Sequence, residues 1–118
     1  MTIENQLCNL LIPAEILIDF EVKNIEDTEE LLIIELVEKQ QNISKLGTDE
    51  TLVFNGFMNP LELQHFPMNG KKCVLKLMRR RWKERGSASG NYFNTYIYAV
   101  TGTKVTPSFG AFLKEIGS

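Results

Sequence analysis

The stretch "KKCVLKLMRRRWKER", residues 71–85, decides the predicted fold because it joins an apolar strand pattern to most of the chain's positive charge. It holds eight lysines and arginines, although the chain of 118 residues has a formal net charge of −2. Successive side chains on a strand point to opposite faces. Cys73, Leu75 and Leu77 therefore share a face that turns basic at Arg79. The pattern predicts a strand rooted in the core, with charge on both faces of its free end.

A second strand is predicted to complete a long basic β-hairpin with this one. "NYFNTYIYAV", residues 91–100, has the aromatic content of a strand, and "KERGSASGN" before it supplies turn residues. In the symmetric register Arg80 faces Tyr96 and Trp82 faces Asn94. A slip of one residue would move every partner to the opposite face, so the register stays open.

The N-terminal half predicts two short helices and a second hairpin. Residues 1–12 carry apolar side chains at helical spacing, and "PAEILIDF" opens with a proline suited to a first helical turn. "FEVKNI" and "LLIIELVEK" read as paired strands around the polar turn "EDTEE", the second strand covered on both sides. "TLVFNGF" predicts another strand. The polar "QQNISKLGTDE" is expected to be the least ordered stretch, and "NPLELQHFPMNG" is expected to be irregular.

The C-terminal residues predict a capped amphipathic helix. Thr106 is a suitable N-cap and Pro107 a suitable first helical residue, and an apolar face follows at Phe109, Phe112, Leu113 and Ile116. The expected fold is a single α+β domain over residues 1–118. It has a mainly antiparallel sheet with the long basic hairpin, short helices at the N-terminus and this helix at the C-terminus.

Composition and reactive residues argue against several functional classes. With 43% hydrophobic and 24% charged residues, and without an apolar run of bilayer length or a secretory signal, the chain is expected to be cytoplasmic and not membrane-bound. Cys8 and Cys73 are too few for a structural zinc site. His65 is the single histidine and is interpreted as a hydrogen-bonded structural residue. We therefore expect no catalytic site, cofactor, metal or small-molecule substrate.

The two halves of the chain carry opposite charge. Residues 1–60 hold twelve acids and three bases, a net charge of −9, and residues 61–118 hold ten bases and three acids, a net charge of +7. Such asymmetry is typical of a protein with a polyanion-facing side, and a basic two-stranded ribbon can enter a DNA groove. The predicted nucleic-acid-binding residues are Lys71, Lys72, Lys76, Arg79, Arg80, Arg81, Trp82, Lys83, Arg85 and Tyr96.

Each part of this prediction has a structural alternative. A charge cluster also keeps a face solvated, and the aromatic residues Tyr92, Phe93, Tyr96 and Tyr98 can either stack on unpaired bases or pack across strands of a hairpin. Trp82 can cover the stems of its basic neighbours through cation–π contact.

Four segments in order carry a family resemblance: "LLIPAEILIDFEV" at residues 10–22, the pair Gly56 and Phe57, "FPMNGKKCVLKLMRRRW" at residues 66–82, and "GTKVTPSFGAFLKE" at residues 102–115. With them the chain resembles the N-terminal-region proteins of bacterial insertion-sequence transposases of the ISAon type. It departs from that pattern at His65, where the family pattern has an acid, and in the absence of a tryptophan from residues 91–100.

The resemblance implies a non-catalytic accessory protein that binds double-stranded DNA at the transposon ends, while a companion catalytic transposase holds the active site. A protein-interaction adaptor, docking the same basic residues on that companion without touching DNA, is the alternative. An enzyme is the third and least supported class. The sequence leaves the oligomeric state and the DNA sequence recognised open.

Overall fold

A computed structural model describes residues 11–47, 51–88, 91–98 and 105–116, and it has the predicted α+β class. The helix predicted over the first dozen residues falls almost wholly outside this part of the chain. The described elements are α1 (Ala14–Asp19), β1 (Phe20–Asp27), β2 (Leu31–Glu38), a 3-10 helix (Gln40–Leu46), β3 (Leu52–Phe57), β4 (Leu61–Met68), β5 (Lys71–Met78), β6 (Arg80–Glu84) and α2 (Pro107–Ile116).

The strands form a four-stranded sheet and a separate two-stranded ribbon. The sheet has the order β1-β2-β5-β4, and the ribbon pairs β3 with β6. β1 with β2, β4 with β5, and β3 with β6 are antiparallel, while β2 and β5 run parallel. The prediction of a mainly antiparallel sheet is therefore confirmed, and the hairpin of β1 and β2 forms where the sequence predicted it.

The core lies on one face of the four-stranded sheet. β5 contributes Cys73, Leu75 and Leu77, all fully buried, and the parallel register sets Ile34 of β2 opposite Leu75. This confirms the alternation predicted for the basic strand as far as Leu77. The residues that complete the core cluster are Ile12, Ile16, Phe20, Leu36, Leu63 and Tyr98.

The prediction that residues 59–70 are irregular is wrong. Residues 61–68 form β4, which pairs with β5 as far as Met68 opposite Lys71. Asn69 and Gly70 both have positive φ, 54° and 75°, as the two central residues of a tight hairpin turn require. Pro67 is accommodated because the pairing shifts between His65 and Met68, so no ladder hydrogen bond is needed from it.

The prediction of a long basic hairpin is also wrong, because its two strands do not pair with each other as expected. β5 ends at Met78, the strand direction changes at Arg79, and β6 pairs with β3 instead of with residues 91–98. Of those residues Tyr92 alone forms a bridge, to Trp82. The predicted register, with Trp82 opposite Asn94, is therefore displaced by two residues. The chain turns because a buried carboxylate at the end of β2 accepts a hydrogen bond from the backbone N–H of Arg80.

That carboxylate belongs to Glu38, which is fully buried. Its Oε1 accepts a hydrogen bond from the backbone N–H of Arg80 at 2.8 Å, and its Oε2 accepts from the Tyr96 hydroxyl at 2.5 Å and from Asn94 Nδ2 at 3.1 Å. Asn94 Nδ2 also donates to the carbonyl oxygen of Asn42 in the 3-10 helix, so the stretch predicted to be the least ordered is held over residues 40–46. The Glu38 side chain thus connects β2, β6 and the segment over residues 91–98, and Asn94 extends the connection to the 3-10 helix.

Glu38→Gln should lower the free energy of unfolding by about 2–3 kcal/mol, because every partner of the carboxylate donates and the new amide nitrogen would face a donor in either orientation. Urea unfolding of the full chain measures this change. Glu35→Gln, on the partly exposed face of the same strand, is the matched control and should change the free energy by less than about 0.5 kcal/mol. Equal stability of wild type and Glu38→Gln would contradict the network.

His65 joins both ends of the described chain to β4. It is 3% exposed, and its Nε2 lies 3.0 Å from the carbonyl oxygen of Leu11, so Nε2 carries the proton and donates. Its Nδ1 then accepts from the Thr106 hydroxyl at 2.8 Å. The same hydroxyl oxygen accepts from the Phe109 N–H at 3.4 Å, which confirms Thr106 as the cap of α2. His65 is therefore a structural, neutral histidine, as predicted.

Burial lowers the pKa of His65 from its ordinary value of 6.5. Below about pH 6.5 the unfolded chain binds more protons than the folded one, so stability is fully present above that pH and is lost as the pH falls toward the folded pKa. In a series from pH 7.5 to 5.5, the free energy of unfolding should stay level down to about pH 6.5 and decline below it. The decline should be smaller in His65→Gln, and identical slopes in the two proteins would contradict this assignment.

Candidate nucleic-acid interface

The structure places the ten predicted binding residues in several different surroundings. Lys71, Lys72 and Lys76 lie on the four-stranded sheet, and the three arginines lie where the chain passes from the sheet into the ribbon. Lys83 lies near the end of β6 and Arg85 in the turn after it, Trp82 is in the middle of that strand, and Tyr96 packs on the core.

The lysines of the sheet are balanced by carboxylates. Lys71 forms an ion pair with Asp27. Lys76 stands in the register directly opposite Glu35 on β2 and Glu62 on β4. These residues line a shallow groove on the outer sheet face, together with Asn24, Glu26, Leu31, Ile33 and Val74. A face with this charge balance does not attract a polyanion, although Lys72 at its edge is exposed.

The arginine run binds the protein's own backbone. Arg79 Nη2 donates to the carbonyl oxygen of Asn59 at 2.9 Å, and Arg81 Nε donates to that of Asn55 at 2.9 Å. Arg80 Nε donates to the backbone oxygen of Glu38 at 2.6 Å. Among the described residues, Arg79 Nε is a buried nitrogen without a hydrogen-bond partner. The three guanidinium groups therefore serve the fold, and their charge is not cancelled by the contacts named, because the partners are neutral carbonyl oxygens.

Arg80 also covers the two aromatic rings of β3. Its guanidinium carbon lies 5.2 Å from the ring centroid of Phe54 and 5.8 Å from that of Phe57. The two rings meet edge to face at 5.2 Å. Arg80 thus ties β3, β6 and the end of β2 together, and its head group is committed to these contacts.

The two aromatic residues predicted to meet nucleic acid are used inside the protein. Trp82 is 3% exposed, so its ring is covered. Tyr96 packs edge to face on Phe20 at 5.0 Å and binds Glu38 and Asn42 through its hydroxyl. Burial and the Glu38 carboxylate raise the pKa of Tyr96 above its ordinary value, so the hydroxyl stays protonated and remains a donor. Packing inside the protein, the structural alternative to base stacking, therefore matches the position of Tyr96.

Three cations remain at the end of the ribbon, Arg81 and Lys83 on β6 and Arg85 in the turn after it, and we call this set the basic stripe. Arg81 and Lys83 occupy alternate positions of β6, so their side chains leave the strand on the same side, and the exposed Arg85 follows in the turn directly after the strand. The neighbouring strand brings no acid to that side, because Val53 stands opposite Lys83 and Asn55 binds Arg81. Glu84 lies on the opposite side, where its Oε1 accepts from the Tyr92 hydroxyl at 3.2 Å. Within the described ribbon, the stripe is a one-sided concentration of positive charge.

The sequence analysis did not predict that the end of β3 contributes to this surface. The end of β3 bulges between Phe54 and Phe57, where Gly56 has a φ of 82°. This bulge carries the chain past Arg81 toward Asn59. The Asn-Gly pair inside "FNGF" was the available signal for it, since such pairs mark positive φ.

Metal sites and membrane-spanning helices are two features that the described residues do not show. No group of three or more histidine, cysteine, aspartate and glutamate side chains there is arranged to hold a metal ion. Of the helices in the same residues, none combines the length and the apolar character that crossing a membrane requires. No protein-family model, curated protein or solved structure matches the chain.

Arg80→Ala should lower the free energy of unfolding by about 1–3 kcal/mol, because it removes a charge-assisted hydrogen bond and the cation–π contacts with Phe54 and Phe57. Chemical denaturation checks this. Arg85→Ala, an exposed arginine on the neighbouring turn, is the matched control and should cost less than about 0.5 kcal/mol. Equal effects of the two changes would mean that Arg80 does not hold the ribbon.

Proposed function

We propose that this chain is a non-catalytic DNA-binding module that contacts the phosphate backbone through the basic stripe. The observation that carries the proposal is the placement of Arg81 and Lys83 on one face of the ribbon, with Arg85 exposed in the adjoining turn and no carboxylate contributed to that face by β3. Alternate residues on a strand lie about 6.7 Å apart, so the stripe forms a row of cations along which a polyanion can lie.

The chemistry of the remaining reactive groups supports a binding role over catalysis. His65 and Thr106 satisfy each other inside the protein, and the buried Glu38 carboxylate accepts three hydrogen bonds from structural donors. These groups are buried and hydrogen-bonded inside the protein, which suits a structural role better than proton transfer to a substrate. The proposal therefore needs no active site in this chain.

The resemblance to the N-terminal-region proteins of ISAon-type transposases extends the proposal to a biological role. On that basis the chain would act in the cytoplasm as an accessory protein in transposition. It would hold double-stranded DNA at the transposon ends and present it to a companion catalytic transposase. The arginine run at residues 79–81 carries part of that resemblance, although the first two arginines support the fold and only Arg81 belongs to the stripe.

The adaptor alternative uses the same stripe against an acidic protein surface, so the partner must be distinguished by competition. Poly-glutamate matched in charge to the DNA is the appropriate competitor. DNA binding should persist at a charge-equivalent concentration of poly-glutamate, since the stripe is proposed to follow phosphates. Displacement of DNA at equal charge concentration would favour the adaptor and contradict the DNA-binding proposal.

The double variant Lys83→Gln with Arg85→Gln should weaken duplex binding and reduce the slope of log K against log salt by about 2, since each lost phosphate contact removes about 0.9. Fluorescence anisotropy with a labelled duplex at several salt concentrations measures the slope. Arg81 is left intact in this variant because its guanidinium also holds the Asn55 carbonyl.

The control is Lys23→Gln with Lys114→Gln, which removes the same charge from exposed positions on β1 and α2. It should keep the wild-type slope. If both double variants lose the same slope, binding depends on net charge alone and the stripe is not the contact. Absence of salt-dependent duplex binding by the wild type would also overturn the proposal.

A further inference from the structure

A groove runs beside the basic stripe at the end of the ribbon. It is lined by Phe57, Met58, Asn59, Arg81, Asn91 and Phe93. Two of these side chains are aromatic and partly open to solvent, Phe57 at 38% and Phe93 at 42% exposure. Exposed rings beside a guanidinium are the combination that holds unpaired bases in proteins that bind single strands.

The pairing of Trp82 with Tyr92 sets the position of Phe93. The two residues exchange both backbone hydrogen bonds, at 2.9 Å and 2.8 Å. In this antiparallel bridge the preceding residue of β6, Arg81, stands opposite the following residue, Phe93, on the same face. Lys83 stands opposite Asn91 in the same way. The aromatic ring is therefore a direct cross-strand neighbour of the stripe.

The bulge of β3 forms the side of the groove that faces Phe93. Arg81 Nε is held at 2.9 Å from the Asn55 carbonyl oxygen, so the guanidinium is fixed between β3 and the residues after Tyr92. A β-carbon at Gly56 would lie 3.5 Å from Arg81 Nη2, so the backbone passes close beside the guanidinium. Asn59 and Asn91 stand at the rim, both exposed, and each amide offers donors and an acceptor. The groove is thus preorganised on the β3 side and open on the Phe93 side.

We propose that this groove takes one unpaired base of single-stranded DNA, stacked on Phe93, while the flanking phosphates lie on the basic stripe. The inference rests on the proposed function and specifies which form of DNA is bound. A base in a duplex has both faces covered by its neighbours, whereas an unpaired base offers a face to Phe93 and polar edges to the rim amides. The chain should therefore bind a single strand, or a duplex with an unpaired tail, more tightly than a fully paired duplex of the same length.

The probe is an oligothymidine of twelve nucleotides with one central 2-aminopurine, used alone and annealed to its complement. The full chain should prefer the single strand, and the 2-aminopurine fluorescence should change on binding because the base moves onto an aromatic ring. Phe93→Leu should lower single-strand affinity by about five- to 150-fold, the range that corresponds to loss of one stacking contact, and leave duplex affinity unchanged.

Matched variants separate stacking from general effects. Phe93→Tyr keeps the ring and should restore the wild-type affinity and the fluorescence change. Phe112→Leu, a comparably exposed ring on α2, should have no effect. A thermal melt of each variant shows that the fold is intact, which is expected since Phe93 is exposed.

The outcomes distinguish this inference from the proposal beneath it. Salt-dependent duplex binding without preference for the single strand, or an equal loss of both affinities in Phe93→Leu, overturns the stacking inference and leaves the DNA-binding module standing. If the chain binds neither the duplex nor the single strand, the stacking inference and the DNA-binding proposal are both overturned. An RNA strand of the same sequence bound more tightly than the DNA strand would keep the stacked base but overturn the assignment of DNA.

Discussion

The buried carboxylate of Glu38 is the constraint on which the rest of this structure depends. A carboxylate removed from water is costly unless its oxygens are hydrogen-bonded, and three donors meet that requirement here. The donors come from the start of β6 and from residues 94 and 96, which are distant in sequence from β2. Satisfying one side chain therefore fixes where the ribbon leaves the sheet and where the segment after it must lie.

The same network explains why the arginine run does not behave as a solvent-exposed arm. Glu38 holds the N–H of Arg80 through its side chain and the guanidinium of Arg80 through its backbone oxygen. The chain is thereby turned out of the four-stranded sheet immediately after the last core residue of β5. The three consecutive arginines lie in three different surroundings, and only Arg81 belongs to the basic stripe with Lys83 and Arg85. Charge density in the sequence is thus a poor guide to charge density on the surface.

Local signals in the sequence predicted the local parts of the fold. The alternation through Cys73, Leu75 and Leu77 identified the buried face of β5, and Thr106 with Pro107 identified the start of α2. The Asn-Gly turn before Lys71 was an equally local signal, but the prolines around it led to a prediction of irregular structure. The pairing of β3 with β6 could not be predicted, because it depends on a register between segments far apart in sequence and on the bend at Arg79. The same holds for the candidate site. Its cations could be identified from the sequence, whereas their distribution over separate parts of the surface could not be predicted.

The parallel pairing of β2 with β5 has a consequence for how the chain reaches this fold. β1 with β2 and β4 with β5 are each hairpins closed by short turns, and the two hairpins pair along the parallel seam of β2 and β5. Each hairpin can form early, because its contacts are near in sequence, but the seam closes a long loop that contains the 3-10 helix and all of β3. The entropy of closing that loop is regained only when Ile34 and Leu36 meet their neighbours on β5. We therefore expect docking of the two hairpins to be the slow step of folding, whereas the ribbon of β3 and β6 continues the β4–β5 hairpin and can form with it.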